Sequence, residues 1–522
     1  MKNTDASTLP DDIESLKALV LSLQKDAKKY QSEAKTYQVK YERLLEQWQL
    51  ALMHRFAARS EAYDGQGELF NEIEAELEPT AEEVAEAEAT TETITYTRKK
   101  ARAPRIAEDL PREDVVHDIA DEDKICDCCG GDLHKMGEEV SEKLEFVPAQ
   151  IKVLRHIRPK YSCRHCEQHG TSTSIKIAPV VPSVLPKSIA TPSLLTQIIS
   201  AKYHYGLPLY RQEKLFSSFG VELNRQTMSR WLVKVAEKAQ PLYEYLHRRL
   251  LEQPALWSDD TRIKVIETEK TQSTMWVYGC GGDSPSALSA QNIVLYDYQD
   301  GRAGHYITDF LQGYQGLMQV DGYQAYDKTQ ATLAGCWAHA RRKFIEAKAV
   351  QPKGKTGRAD MVLSLIQKLY AVEKEIKGDT IEKRLTARQT KAAPIIQQIK
   401  DYLDKTALAV PPKTALGKAI HYTLKQWIKL LVYLEHGDLN IDNNRAERAI
   451  KPFVIGRKNW LFANTRSGAS ASAILYSLVE TAKVNGLKPE YYLQALLEQL
   501  PTTSAENIGQ LAPWNIKLSE ND

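Results

Sequence analysis

Three carboxylates at wide spacing carry the most chemistry in this sequence: Asp259 in ALWSDDTRIKVIE, Asp321 in GLMQVDGYQAYD and Glu447 in IDNNRAERAIKPFVIGRKNWLFANTR. Glu447 stands among Arg445, Arg448, Lys451, Arg457, Lys458 and Arg466. Such a stretch usually means a solvated basic face. The alternative is a carboxylate held close to a polyanion, and an acid facing phosphates is repelled unless a cation lies between them. Other acids must then help to hold that cation. Three carboxylates can hold two magnesium or manganese ions about 3.5–4 Å apart, one activating water or a 3′-hydroxyl, the other stabilising the leaving oxygen of an in-line phosphoryl displacement. Among 68 acidic residues some such triple can be drawn from any chain. The elements that position these three therefore decide the matter.

ALWSDDTRIKVIE reads as a strand with Asp259 and Asp260 at its middle, and STMWVYGC and NIVLYDYQ as two more in an antiparallel run. HYITDFLQGY reads as a helix, and GLMQVDGYQAYD as a fourth strand ending at Asp321. Three strands, a helix and a fourth strand is the order of a ribonuclease-H-like core, in which the first and fourth strands are neighbours and their acids lie side by side. Glu447 is expected on a short helix that starts near Asp442 and ends by Lys451, because Pro452 disfavours helical geometry before it. Asn443 falls one turn earlier on the same face, while Arg445 and Arg448 point elsewhere, toward phosphates.

The 522 residues suffice for several domains. Net charge is +1, so a nucleic-acid surface must come from segregated charge, as where acidic Glu72–Glu92 gives way to Arg98, Lys99, Lys100, Arg102 and Arg105. The start lacks a signal-peptide pattern and no long apolar run occurs, which predicts a cytoplasmic protein with no membrane partner. Ile13, Val20, Ala27, Ala34, Tyr41 and Trp48 fall seven apart, with Leu16, Leu23, Tyr30, Tyr37, Leu44 and Ala51 three residues after each. These are the a and d positions of a coiled coil, and self-association follows unless the helix packs on its own body. Residues 59–109 read as a linker. Cys126 with Cys129 and Cys163 with Cys166 form two C-x-x-C pairs separated by strand-like sequence, which predicts one structural zinc, with Cys128 as a competing ligand.

LPLYRQEKLFSSFGVELNRQTMSRWLVKVAEKA reads as a helix-turn-helix, its second helix starting near Asn224 and offering Arg225, Gln226, Thr227, Ser229 and Arg230 to DNA. Two packed helices with no DNA role are the alternative. Between Arg342 and Asp442 the periodicity is helical, an insertion between the second and third acids. There Arg384, Arg388 and Lys391 could follow a DNA backbone, although a solvated face is preferred. In GCWAHARRKF, Cys336 and His339 sit three apart, too few for a structural metal site, so packing or a hydrogen bond is preferred. Trp337 is assigned to the core rather than to base stacking.

The expected architecture is a multidomain α/β chain. It comprises a coiled coil (1–58), the linker (59–109), a zinc ribbon (110–180), a helix-turn-helix region (181–253), a ribonuclease-H-like mixed-sheet catalytic domain (254–464) with its helical insertion at about 342–441, and a helical C-terminal region (465–522).

These motifs resemble the transposases of the insertion sequence 66 family, within the DDE class. The resemblance runs along nearly the whole chain: HRFAARSE, LFNEIEAE, LPRE, the paired C-x-x-C, LPLYRQE, DDT, DGYQAYD, GCWAHARRKF, DNNRAERAIKPFVIGRKNWLF and LAPWN, in that order. It implies catalytic, magnesium- or manganese-holding roles for Asp259, Asp321 and Glu447, supported by Cys336, His339 and Asn443. The family usually shows Asp-Glu-Thr where this chain has Asp259-Asp260-Thr261. Strand alternation lets only one of the two acids face the site, and Asp259 takes the family's first position. Implied partners are terminal inverted repeats and target DNA, met by Arg225, Gln226, Thr227, Arg230, Arg445, Arg448, Arg457 and Lys458. A second copy of the chain and accessory proteins of the same element are also implied. A DNA-binding regulator, or a nuclease without strand transfer, are the rival readings.

Overall fold

The computed structural model describes residues 12–56, 150–162, 175–268, 272–281, 291–350 and 357–518. The expected linker and zinc ligands Cys126, Cys129, Cys163 and Cys166 lie outside these residues. The chain divides into a unit of residues 1–57 with 153–522 and a unit of residues 58–152; the elements below belong to the first.

Helix α1 (Ile13–Phe56) bears out the long heptad helix, and its seam residues Ile13, Val20, Leu23, Tyr30, Tyr37, Tyr41, Leu44 and Trp48 are exposed on the single chain. Strands β1 (Lys160–Tyr161) and β2 (Lys176–Ile177) pair antiparallel. Helix α2 (Pro192–Tyr203) is followed by α3 (Leu209–Ser218) and α4 (Arg225–Leu251). The turn between α3 and α4 passes through Gly220 at φ +77°, a conformation that favours glycine. Asn224 then caps α4, its side chain accepting from the Thr227 N–H at 2.8 Å.

Among the described residues the central sheet has six strands: β3 (Ala255–Val265), β4 (Ser273–Cys280), β5 (Val294–Gln299), then, after helix α5 (Gly304–Phe310), β6 (Leu317–Gln319), β7 (Thr332–Ala334) and, much later, β8 (Phe462–Ala463). The order is β5-β4-β3-β6-β7, with β8 against the far end of β3. β3, β4 and β5 run antiparallel, while β6 is parallel to β3, Leu256 opposite Met318. The adjacency of first and fourth strands expected from the sequence is therefore present. β7, three residues long, was not foreseen from the sequence. β4 is buried at every position, which is why STMWVYGC reads as a continuous run rather than alternating.

The insertion begins with α6 (Trp337–Ala349) and continues through α7 (Arg358–Glu375), α8 (Ile381–Ala387), a π-helical turn at Arg388–Ala392, α9 (Ala393–Ala407), α10 (Ala415–Lys425) and α11 (Trp427–Leu431). It has its own hydrophobic core, with Trp337, Phe344, Val362, Leu369, Ile399, Leu403 and Tyr433 buried together. Trp337 belongs to that core, its indole N–H donating to the Leu430 carbonyl at 3.1 Å. Arg384 and Arg388 correct the sequence expectation: they are buried, not solvated or free to follow DNA. Their charge is drawn inward by Glu373, whose carboxylate takes two bonds from Arg388 at 2.7 and 2.8 Å.

Helix α12 (Asn444–Trp460) runs straight through Pro452, although the sequence predicted an end by Lys451. A proline inside a helix costs about 3 kcal/mol. Ala446, Ile450 and Phe453 are buried on one face, and each large apolar side chain contributes ~1.5–3 kcal/mol, enough to outweigh that cost. The Tyr296 hydroxyl also donates to the Ala449 carbonyl in the affected turn. After β8 (Phe462–Ala463) come α13 (Arg466–Val484) and α14 (Pro489–Gln499). α13 covers the open edge of β5: Ser477 Oγ accepts from the Tyr296 N–H at 2.8 Å, and Thr481 Oγ1 accepts from Val294 N–H at 3.1 Å while donating to its carbonyl at 2.9 Å. Edge groups that would otherwise be unpaired are thus satisfied. Among the described residues no helix is long and apolar enough to cross a membrane.

Candidate active site

Asp259 lies in the middle of β3, Asp321 two residues past β6, and Glu447 in the first turn of α12. Ser258, just before Asp259, joins all three elements. Its hydroxyl accepts from Tyr326 Oη at 3.0 Å, five residues after Asp321. Its carbonyl accepts from Asn443 Nδ2 at 2.8 Å, four residues before Glu447. Asn443 is 1% exposed, and its backbone N–H donates to Cys336 Sγ at 3.2 Å. Cys336 thus acts through a hydrogen bond, and through Asn443 it steadies the start of the Glu447 helix. Tyr422 of α10 packs on Gly322, where an added Cβ would lie 2.8 Å from its ring. Only glycine fits beside Asp321 at that approach.

The electrostatics of the three acids are coupled. Burial, with the added negative charges of Asp321, Asp260 and Glu447 and against a hydrogen bond from the Asp260 N–H, pushes the Asp259 carboxyl up to about 7. Glu447 turns inward: its Oε1 is buried without a hydrogen bond, 3.7 Å from His339 Nε2 and 3.6 Å from Arg342 Nη2. Asn443 Oδ1 is likewise buried without a donor. Burial holds His339 below its ordinary imidazole value, although Glu447 pulls the other way. Asp260 differs from Asp259, since Arg302 Nη2 donates to its Oδ1 at 2.7 Å.

Among the described residues no three His, Cys, Asp or Glu side chains stand close enough together to hold a metal ion as they are. The residues nonetheless fit one: Glu447 Oε1 and Asn443 Oδ1 are buried acceptors without a hydrogen-bond donor, and Asp259 is surrounded by other carboxylates. A divalent cation supplies both.

Of the residues expected to meet DNA, Arg225, Gln226 and Arg230 are exposed at the start of α4, with Thr227 half-buried beside them. Arg448 and Lys458 are exposed on α12. Arg457 donates to Thr261 Oγ1 at 3.2 Å, and Arg445 lies with its guanidinium 5.9 Å from the Trp257 ring, against the sheet.

Ser258, Arg302, Tyr323 and Tyr326 were missed as site residues by sequence reasoning. The tyrosines lay in plain view in DGYQAYD, but Arg302 is 42 residues from its partner Asp260 and carried no signal.

Comparison with known proteins decides the family. The model for "Transposase IS66 family" matches residues 187–471, spanning all three acids. The chain belongs to the IS66 transposase family. Three further models of this transposase family match: its zinc-finger binding domain at 123–167, which contains Cys126, Cys129, Cys163 and Cys166, its C-terminal element at 477–514, and "Transposase C of IS166 homeodomain" at 43–115. The transposase is also similar to uncharacterised proteins of Sinorhizobium fredii. It is 34% identical to y4jD over 426 residues, 79% of this chain and 81% of that one. It is 32% identical to y4qI over 438 residues, 80% and 79% of the two chains.

Proposed function

We propose that this transposase binds the terminal inverted repeats of its element, cuts to release 3′-hydroxyl ends and joins them to target DNA, using Asp259, Asp321 and Glu447 as a DDE triad. The observation that carries the proposal is the Ser258 node, which ties the carriers of all three acids together. The strand order β5-β4-β3-β6-β7, with β3 parallel to β6, supports a ribonuclease-H-like core.

Magnesium or manganese ions, when bound, supply activation of the attacking water or 3′-hydroxyl and charge stabilisation at the leaving oxygen. The chain's own residues do the holding. Asp259, Asp321 and Glu447 provide the oxygen ligands, Asn443 and Tyr326 fix the spacing of their carriers, and the buried floor around Ser258 keeps water from the far side of the site. Exposed Arg448 and Lys458 lie on the Glu447 helix, where phosphates can meet cations without displacing the acid. Arg225, Gln226, Thr227 and Arg230 lead α4 and suit a groove of the repeat. The zinc-finger segment holds one structural zinc on Cys126, Cys129, Cys163 and Cys166, whose four thiolates leave no open position. The exposed apolar seam of α1 supports pairing of two copies, the least that brings two ends together. We assign the chain to the cytoplasm, at the nucleoid, with accessory proteins of its element as further partners. The domain limits are those drawn from the sequence.

The test is purified protein with magnesium and a labelled terminal repeat. Wild type is expected to cut and join. Glu447→Gln keeps shape and removes charge, and is expected to bind the repeat with cutting and joining lowered by at least ~10³-fold. Unchanged cleavage in Glu447→Gln removes that residue from the triad. Binding by wild type without cleavage favours a regulator, and cleavage without joining favours a nuclease.

A further inference from the structure

Four acids, not three, crowd this site. Asp259 and Asp260 are successive on β3 and project to opposite faces, and Asp321 follows β6, the strand paired with β3. A free carboxylate on the opposite face of β3 would draw cations away from the triad by its charge.

Arg302, in the turn between β5 and α5, occupies Asp260. Its Nη2 donates to Asp260 Oδ1 at 2.7 Å, and the Asp260 side chain is only 6% exposed. The same guanidinium stacks 3.9 Å from the centre of the Tyr323 ring. Tyr323 returns the contact, its hydroxyl donating to the Arg302 carbonyl at 2.7 Å. Tyr323 also holds the second acid, since its backbone N–H donates to Asp321 Oδ1 at 2.9 Å. One arginine therefore touches the neighbour of the first acid and the residue that orients the second.

We infer that Arg302 is a positioning residue of the acid site: it neutralises Asp260, leaving Asp259 alone of the pair to serve the cation, and it steadies the Asp321 loop through Tyr323. The inference rests on the transposase reading and adds what keeps the second aspartate of the pair from drawing the cation across the strand. The Asp260 side chain is only 6% exposed, so loss of the arginine leaves a nearly buried charge unpaired and is expected to lower the melting temperature as well as cleavage.

The experiment uses the full chain, Mn2+ as the probe and a labelled terminal repeat. Arg302→Gln frees Asp260. Mn2+ then binds at least as tightly as in wild type, because negative charge has been added, while cleavage at saturating Mn2+ falls more than ~tenfold, because the cation is drawn off its proper ligands. Adding Asp260→Asn to Arg302→Gln returns Mn2+ affinity to the wild-type value and recovers most of the cleavage. A purely structural role would lower Mn2+ affinity along with cleavage and the melting temperature, whereas the inference requires Mn2+ affinity to be held or raised while cleavage falls. Unchanged cleavage in Arg302→Gln, weakened Mn2+ binding, or a loss that Asp260→Asn does not relieve each overturns the inference and leaves the triad standing. A wild-type chain that neither binds Mn2+ nor cuts the repeat overturns the transposase reading along with it.

Discussion

The helical insertion and the sheet treat their acids in opposite ways. In the insertion, Glu373 takes paired bonds from Arg388, with Arg384 at 4.0 Å, and Arg388 spends its remaining donors on the carbonyls of Tyr433, His436 and Leu439. At the site beside the sheet, Asp259 is pushed up to about 7 among other carboxylates, and Glu447 Oε1 on α12 accepts no hydrogen bond, the Arg342 guanidinium standing off at 3.6 Å. The difference teaches what each charge is for. Charge that holds a fold comes with its counter-charge built in, because an unpaired buried ion destabilises. Under the proposed function, the charge of the acid site is left short of counter-charge so that a cation brought from outside completes it.

The most severe way to break this contrast is to make the insertion resemble the site. Arg388→Met leaves Glu373 without its bidentate partner and frees three carbonyls, and is expected to destabilise by about 3–5 kcal/mol in denaturant titration. Adding Glu373→Leu should return much of that loss, since two apolar side chains replace a matched pair. If the single and double variants are equally unstable, the pair is not what holds the insertion.

The converse change acts on the site. Asp259→Asn relieves repulsion from Asp321, Asp260 and Glu447, and without added metal it is expected to raise stability by about 1 kcal/mol, seen as a melting point higher by ~2 °C. The same variant should lose the stabilisation that Mn2+ gives the wild type. A lower melting point without metal would place Asp259 among the structural acids.

Asp297 on β5 is an intermediate case that sharpens the comparison. Burial raises its carboxyl to about 6, and a hydrogen bond from Gln299 only partly opposes this. The folded state therefore binds the proton more tightly than the unfolded chain. The stability so gained is complete below the ordinary carboxylate value and is lost as pH rises through about 6. Asp297→Asn is expected to be more stable than wild type by about 1–3 kcal/mol at pH 8, with the gain vanishing near pH 4 in melting curves. A gain independent of pH would mean that charge is not its cause.

Much of this was legible in the residues. Strands β3 to β5, the α3–Gly220–α4 turn and the heptads of α1 all announced themselves, because each depends on local periodicity and on caps a few residues away. Helix α12 did not: Pro452 signals a stop, and only burial of Ile450 and Phe453 against distant strands overrides it. Arg384 and Arg388 misled for a similar reason. On a helical wheel they look like a basic face, and only the fold brings Glu373 and the Leu439 carbonyl to them.

By itself, the sequence singled out three acids, the strands and helices that carry them, and the family the chain belongs to, since residue type and order survive without coordinates. Tertiary structure alone decided that Ser258 ties the three carriers together, that Arg302 occupies Asp260, and that Glu447 faces inward. Those outcomes are contacts between residues 42 to 185 positions apart. No local pattern encodes such contacts, because they exist only once the sheet and its insertion have packed.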